Sequence, residues 1–322
     1  MGSRLEGFLV RQSPRLDLEC IETLARECGG GLKQLRLSEC GKMEGEWMGV
    51  LAKGGLRKLE MLDLSYPLNP LPSGCEELEE LIVAVGPNLV SLNLAGQSLL
   101  TSKDLFALLP NNLPVLTRLD LTLLPFLTEL DPIAVAALVK DEEGVKLEDG
   151  DEDEENQTVL GEVGMVEVFN AWEQAGNVGL ESVKMGKAHL LKGLTLQALV
   201  RLAGETLREL EITGWKDVDE EVVKGLGRSC KGVTRMDLGW CSECSSPGFV
   251  LETRGTNSSF VGIELTQLPS LFSFRFVVGS VTDFTLKEIF EDAEHLQEVV
   301  VWGESRFSFL WLESSRDASS SN

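Results

Sequence analysis

One short phrase recurs along this chain: Leu-x-x-Leu-x-Leu, with conservative swaps. Copies begin at Leu32, Leu59, Leu89, Leu116, Leu180, Leu207, Val233, Leu271 and Leu296. Neighbouring starts lie 25 to 30 residues apart, except from Leu116 to Leu180 and from Val233 to Leu271. A unit of this length cannot bury its own apolar face. Stacked on its neighbours, it shares one continuous core. In LKQLRL the phrase puts Leu32, Leu35 and Leu37 into the core. Because strand side chains alternate, Gln34, Arg36 and Ser38 then face outward.

The segments after the strands have helical spacing. In Glu220 to Cys230, Val222, Val223, Leu226 and Cys230 form one apolar stripe. Thr195 to Gly204 and Leu286 to Leu296 repeat the pattern, and Leu16 to Gly30 reads as a helix whose own strand is missing or degenerate. Strand, covering helix and parallel strand in alternation predict an α/β leucine-rich-repeat horseshoe. Its parallel strands line the concave face and its helices the convex face. No polar capping repeat stands before Leu16, so the chain reads as a fragment of, or as diverged from, a longer protein.

Two intervals are too long for one repeat. The first holds Asp141 to Glu155, dense in Asp and Glu with a single Lys. Such a run repels itself and buries no apolar area, which predicts a disordered acidic insertion at about 141–157. Ile133 to Val139 and Val163 to Trp172 look helical around it, and the interval has room for a degenerate tenth strand. The second interval, after Leu238, is rich in Ser, Gly and Asn and reads as a loop. One repeat domain is expected over 1–312, with a disordered tail over 313–322.

Charge narrows the partners. The chain of 322 residues has 52 acidic and 29 basic residues, a formal charge of −23. That balance disfavours direct contact with nucleic acid or an anionic membrane, which need a basic face. No apolar run reaches membrane-spanning length and no signal peptide is evident. The seven Cys are an odd number. Cys28, Cys40, Cys230 and Cys241 recur beside the strands, which suits buried thiols better than a disulfide framework. The Cys241-x-x-Cys244 pair has no second ligand pair for zinc. Cytoplasm or nucleus is the expected compartment.

Leu24 to Cys40 (LARECGGGLKQLRLSEC) aligns with Leu226 to Cys241 (LGRSCKGVTRMDLGWC): helix, Cys, gap, strand, Cys. This resembles the cysteine-containing, ribonuclease-inhibitor-like leucine-rich repeats, found in F-box substrate receptors of ubiquitin ligases and in the fungal nucleotide excision repair leucine-rich-repeat subunit. The stretch Phe284 to Phe307 is similar to the last repeat of that repair subunit. The resemblance implies a substrate receptor or scaffold in a ubiquitin-ligase-linked complex, with a role in DNA repair, and ubiquitin-ligase or repair-complex subunits as partners. The alternative is a stand-alone inhibitor or structural scaffold with no ubiquitin link.

The residues show no enzyme. His189 and His295 sit in different repeats without the partners of a triad, and no phosphate loop, dinucleotide fingerprint or metalloprotease helix is visible. No cofactor or metal is expected. The outward column reads Arg36, Asp63, Asn93, Asp120, Lys184, Glu211, Asp237, Arg275 and Val300, acidic in the middle with Arg toward both ends. Trp215, Trp240 and Trp302 fall just past the strands, and aromatic anchors are common in binding surfaces. The expected partner-binding residues on the concave face are therefore Glu211, Trp215, Arg235, Asp237, Trp240, Arg275 and Trp302.

Overall fold

A computed structural model of the chain describes residues 5–40, 45–72, 74–127, 164–177, 179–188, 190–191, 193–215, 220–239, 270, 273–278 and 298–303. The strands are β1 (Gly7–Arg11), β2 (Gln34–Ser38), β3 (Met61–Asp63), β4 (Ser91–Asn93), β5 (Arg118–Asp120), β6 (Ser182–Lys184), β7 (Glu209–Glu211), β8 (Arg235–Leu238), β9 (Ser273–Val278) and β10 (Glu298–Gly303). They form one open sheet in chain order, every neighbour parallel. Seven α-helices lie between strands among the described residues: α1 (Leu18–Cys28), α2 (Gly45–Lys53), α3 (Glu76–Val85), α4 (Ser102–Leu108), α5 (Met165–Gln174), α6 (Gly193–Ala203) and α7 (Glu220–Ser229). Each helix packs on the next. The protein is an α/β repeat solenoid.

The repeated phrase builds the core as its spacing dictates. All three apolar positions of the seven copies from Leu32 to Leu238 are at most 3 % exposed. Burying one such side chain stabilises by about 1.5–3 kcal/mol. Helix starts are set by local chemistry. Asp17 caps α1 by accepting from the Cys20 N–H at 3.0 Å. Thr101 and Asp104 form a reciprocal capping box on α4. The second oxygen of Asp104 accepts from the Gly74 N–H at 2.7 Å, tying that box to the previous repeat.

The N-terminal helix has its strand after all. β1 pairs with β2, Phe8 opposite Leu35 and Val10 opposite Leu37. Leu5-x-x-Phe8-x-Val10 satisfies the consensus once Phe is admitted, 27 residues ahead of Leu32. The extra strand found is therefore here, and across the long interval β5 pairs directly with β6. Behind that pair α4 packs on α5, and the Asn177 amide donates to the Pro110 carbonyl at 2.6 Å. Ser38 also departs from expectation: it is 6 % exposed, closed in at the end of β2.

The acidic insertion at 141–157, the 133–139 segment, the Ser-rich interval after Leu238, the 286–296 helix, the 313–322 tail, Cys241, Cys244, Trp240, His189 and His295 lie outside the described residues. Among the described residues, no helix is long and apolar enough to cross a membrane. Nor does any group of three or more His, Cys, Asp or Glu among them come together as metal ligands.

Candidate functional site: the open face of the sheet

The face opposite the helices is a set of columns in strict register. The central column runs Leu9, Arg36, Asp63, Asn93, Asp120, Lys184, Glu211, Asp237, Arg275, Val300. A flanking column runs through Gln34, Met61, Ser91, Arg118, Ser182, Glu209, Arg235, Ser273 and Glu298. From Arg36 on, the central column is the one read from the sequence, and the register places Glu211, Arg235, Asp237 and Arg275 together on one sheet face over β7 to β9.

The acidic bias of the central column has a local cause. Asp63, Asn93, Asp120 and Asp237 each accept, through Oδ1, the N–H two residues on: Ser65 at 3.1 Å, Ala95 at 2.9 Å, Thr122 at 3.0 Å and Gly239 at 3.0 Å. A short side-chain oxygen here turns the chain out of the strand. Asp237 is thus part of its own turn. Glu211 is too long for that geometry. It lies 3.6 Å from Lys184 and leans over Gly186, where a Cβ would sit 3.2 Å from Oε1. Burial pushes the Glu211 carboxyl upward; Lys184 opposes this, and Asp237 and Asp120 reinforce it.

Ion pairs stitch neighbouring strands. Arg36 Nε is 2.9 Å from Asp63 Oδ2, and Arg235 is 3.1 Å from Glu209, whose other oxygen accepts from Ser182 Oγ at 3.2 Å. Such partly exposed pairs are worth about 1 kcal/mol or less. They also neutralise much of the column. Asp120 has no ion-pair partner among the described residues.

Three residues past the central column, the backbone turns left-handed in each of the first seven repeats. The φ values are 57° at Gln12, 55° at Glu39, 51° at Tyr66, 75° at Gly96, 62° at Leu123, 61° at Lys187 and 78° at Gly214. Only two of these seven are Gly. A non-glycine residue pays about 1–2 kcal/mol there. The ladder offsets it: each of these N–H groups donates to the next repeat, as from Tyr66 to Ala95 O at 2.7 Å and from Leu123 to Gly186 O at 2.8 Å. The result is a ridge of side chains along one edge of the open face.

One place further, the chain returns inward, and this corrects the reading of Trp215. Trp215 is fully buried, as are four of its six counterparts, Cys40, Gln97, Leu124 and Ala188, while Ser13 and Pro67 are half-buried. Three of these side chains do the same work by different chemistry. Trp215 Nε1 donates to the Met185 carbonyl at 2.7 Å, Gln97 Nε2 to Leu64 at 2.7 Å, and Cys40 Sγ to Val10 at 3.6 Å. Each carbonyl belongs to the residue after the central column in the preceding repeat. Trp215 is a bolt between repeats and offers no surface to a partner. Trp302 lies within β10 and not beyond it.

Sequence reasoning passed over Tyr66. It is the only tyrosine in the chain and 42 % exposed. Its position three after a central-column Asp was the available signal. With Leu68, Glu39, Arg11, Gln12 and Pro14 it lines a cleft of about 640 Å³. Glu39 is clamped at 2.7 Å by both Arg11 and Gln12, which hold its carboxyl below the usual range. Burial raises the Tyr66 hydroxyl, and Asp120, Glu211, Asp63 and Glu39 push it the same way.

Cys40 and Cys230 are fully buried and unpaired, and desolvation pushes the Cys230 thiol up to about 12.

No family model and no curated protein matches the sequence. Solved structures do share the fold: 47 chains match it. One belongs to the crystal structure of the Rad7 and Elc1 complex in yeast, with a TM-score of 0.50 and 13% sequence identity, covering 98% of this chain and 82% of that chain. At that identity the likeness is one of fold.

Proposed function

We propose that this chain is a non-enzymatic protein-interaction module that binds protein partners on the open, concave face of its sheet. The carrying observation is the face itself: from β2 to β8 charged and polar side chains stand in register, with the buried leucine core behind them. Solenoids of this kind present extended binding surfaces. We place the chain in a ubiquitin-ligase-linked complex acting in DNA repair, as substrate receptor or scaffold. Two things support that placement: the resemblance of Phe284 to Phe307 to the fungal repair subunit, and the likeness of fold to a chain solved in complex with Elc1. Arg235, Glu211, Asp237 and Arg275 form the C-terminal part of the proposed contact surface, and Trp240 and Trp302 are further proposed contacts.

The test is affinity purification of the tagged chain from its own cells with mass spectrometry, beside an Arg118→Glu/Arg235→Glu variant. Both arginines are exposed on the sheet face. Cullin, adaptor or repair subunits recovered with the wild type and lost with the variant support the reading. Other proteins recovered without any of these favour the stand-alone inhibitor or scaffold.

A further inference from the structure

We infer that the notch at Gly96, between the Tyr66 ring and Asp120, is a seat for one Lys or Arg side chain carried by an extended partner segment. The inference rests on the interaction reading above and names the chemistry the partner brings. Three features define the seat. The left-handed ridge breaks at Gly96, and the Tyr66 ring fills part of the break: a Cβ on Gly96 would lie 2.8 Å from Tyr66 Cδ1 and 3.1 Å from Tyr66 Cα. The ring is therefore held against backbone, while the side chain stays 42 % exposed. The backbone fixes its direction, with Tyr66 left-handed at 51° and its N–H bonded to Ala95 O.

Next to the break, Asn93 and Asp120 stand side by side in register. Both hold their turns through Oδ1, so Oδ2 of Asp120 is available for a second contact. On this face Arg11 is matched with Glu39 and Arg36 with Asp63. Arg118 stands two residues back on β5, about 7 Å along the strand. Asp120 is the carboxylate that acts most strongly on the Tyr66 hydroxyl, and it has no ion-pair partner among the described residues. An aromatic face plus a carboxylate is the arrangement that holds an ammonium or guanidinium group.

The test uses the full chain and two fluorescein-labelled octapeptides, alternating Gly-Lys and alternating Gly-Glu, read by fluorescence anisotropy. The Lys peptide is expected to bind more tightly than the Glu peptide and to weaken in about 0.5 M salt. Tyr66→Leu is expected to raise its Kd roughly 2- to 30-fold, while Tyr66→Phe, which keeps the ring face, stays within about twofold. Asp120→Asn keeps the Oδ1 turn contact, as Asn93 does natively, and is expected to weaken binding by a similar factor. Circular dichroism melts on each variant separate binding from folding. Equal binding of the two peptides, no binding at about 1 mM, or wild-type affinity in both Tyr66→Leu and Asp120→Asn overturns the inference. A chain that ignores the Lys peptide yet still captures a protein through Arg118 and Arg235 keeps the interaction reading and loses this seat.

Discussion

Trp215 separates a binding residue from a structural one, and replacing it gives the sharpest check on the repeat geometry. The side chain is fully buried, and its Nε1–H reaches the Met185 carbonyl one repeat back at 2.7 Å. Trp215→Ala removes a large buried ring, at a cost of about 3–5 kcal/mol. Trp215→Phe keeps most of the apolar volume but removes the donor, and an unmet buried carbonyl costs about 1–3 kcal/mol. The expected order is wild type, then Phe, then Ala, with a gap at each step. Urea unfolding followed by far-ultraviolet circular dichroism measures it. Because repeats can open separately, amide exchange should show the loss centred on β6 and β7. The reasoning is refuted if Trp215→Ala unfolds within about 1 kcal/mol of wild type. It is refuted as well if that variant loses a partner with its unfolding curve unchanged, because the indole would then be surface.

Gln97→Leu strips the Leu64 carbonyl and the Leu71 N–H of their side-chain partner, and a loss of about 2–4 kcal/mol is expected in the same urea assay. Lys187→Gly relieves a left-handed, exposed residue; against the entropy of a new glycine, a net gain of about 0.5–1 kcal/mol is expected, while Gly214→Ala should lose about 1 kcal/mol. Glu211 titrates above its unfolded value in the native state, so the native chain holds that proton longer and stability falls as pH rises through the window. Glu211→Gln should therefore exceed wild type at neutral pH, the gap closing as pH drops below the ordinary carboxylate range; a gap that widens toward low pH would reverse the sign. A thiol-reactive probe at mildly alkaline pH should label Cys20 in the native chain and reach Cys40 and Cys230 only in denaturant.

The Leu triplets were legible because core position and strand period coincide: each copy from Leu32 to Leu238 is buried where its spacing puts it. The columns were legible for the same reason, since parallel pairing without slippage carries one residue of each copy opposite the next. β1 escaped because Phe8 and Val10 stand where Leu is usual, though Leu271 to Phe276 had already shown that Phe serves. Trp215 was misread because distance past the strand, counted loosely, does not separate the ridge from the inward bolt one residue later. Side-chain identity hides that equivalence: Cys40, Gln97 and Trp215 look unrelated until their acceptors are compared. Tyr66 was invisible because its importance lies in the glycine of the next repeat.

The direct pairing of β5 with β6 makes the interval between them a bracketed clause: the sentence of the sheet reads on as though nothing had been inserted. The register of β5 with β6 thus sets no length on the sequence between 128 and 163. Selection can write new content at that address without editing the rest of the text, and an engineer can do the same.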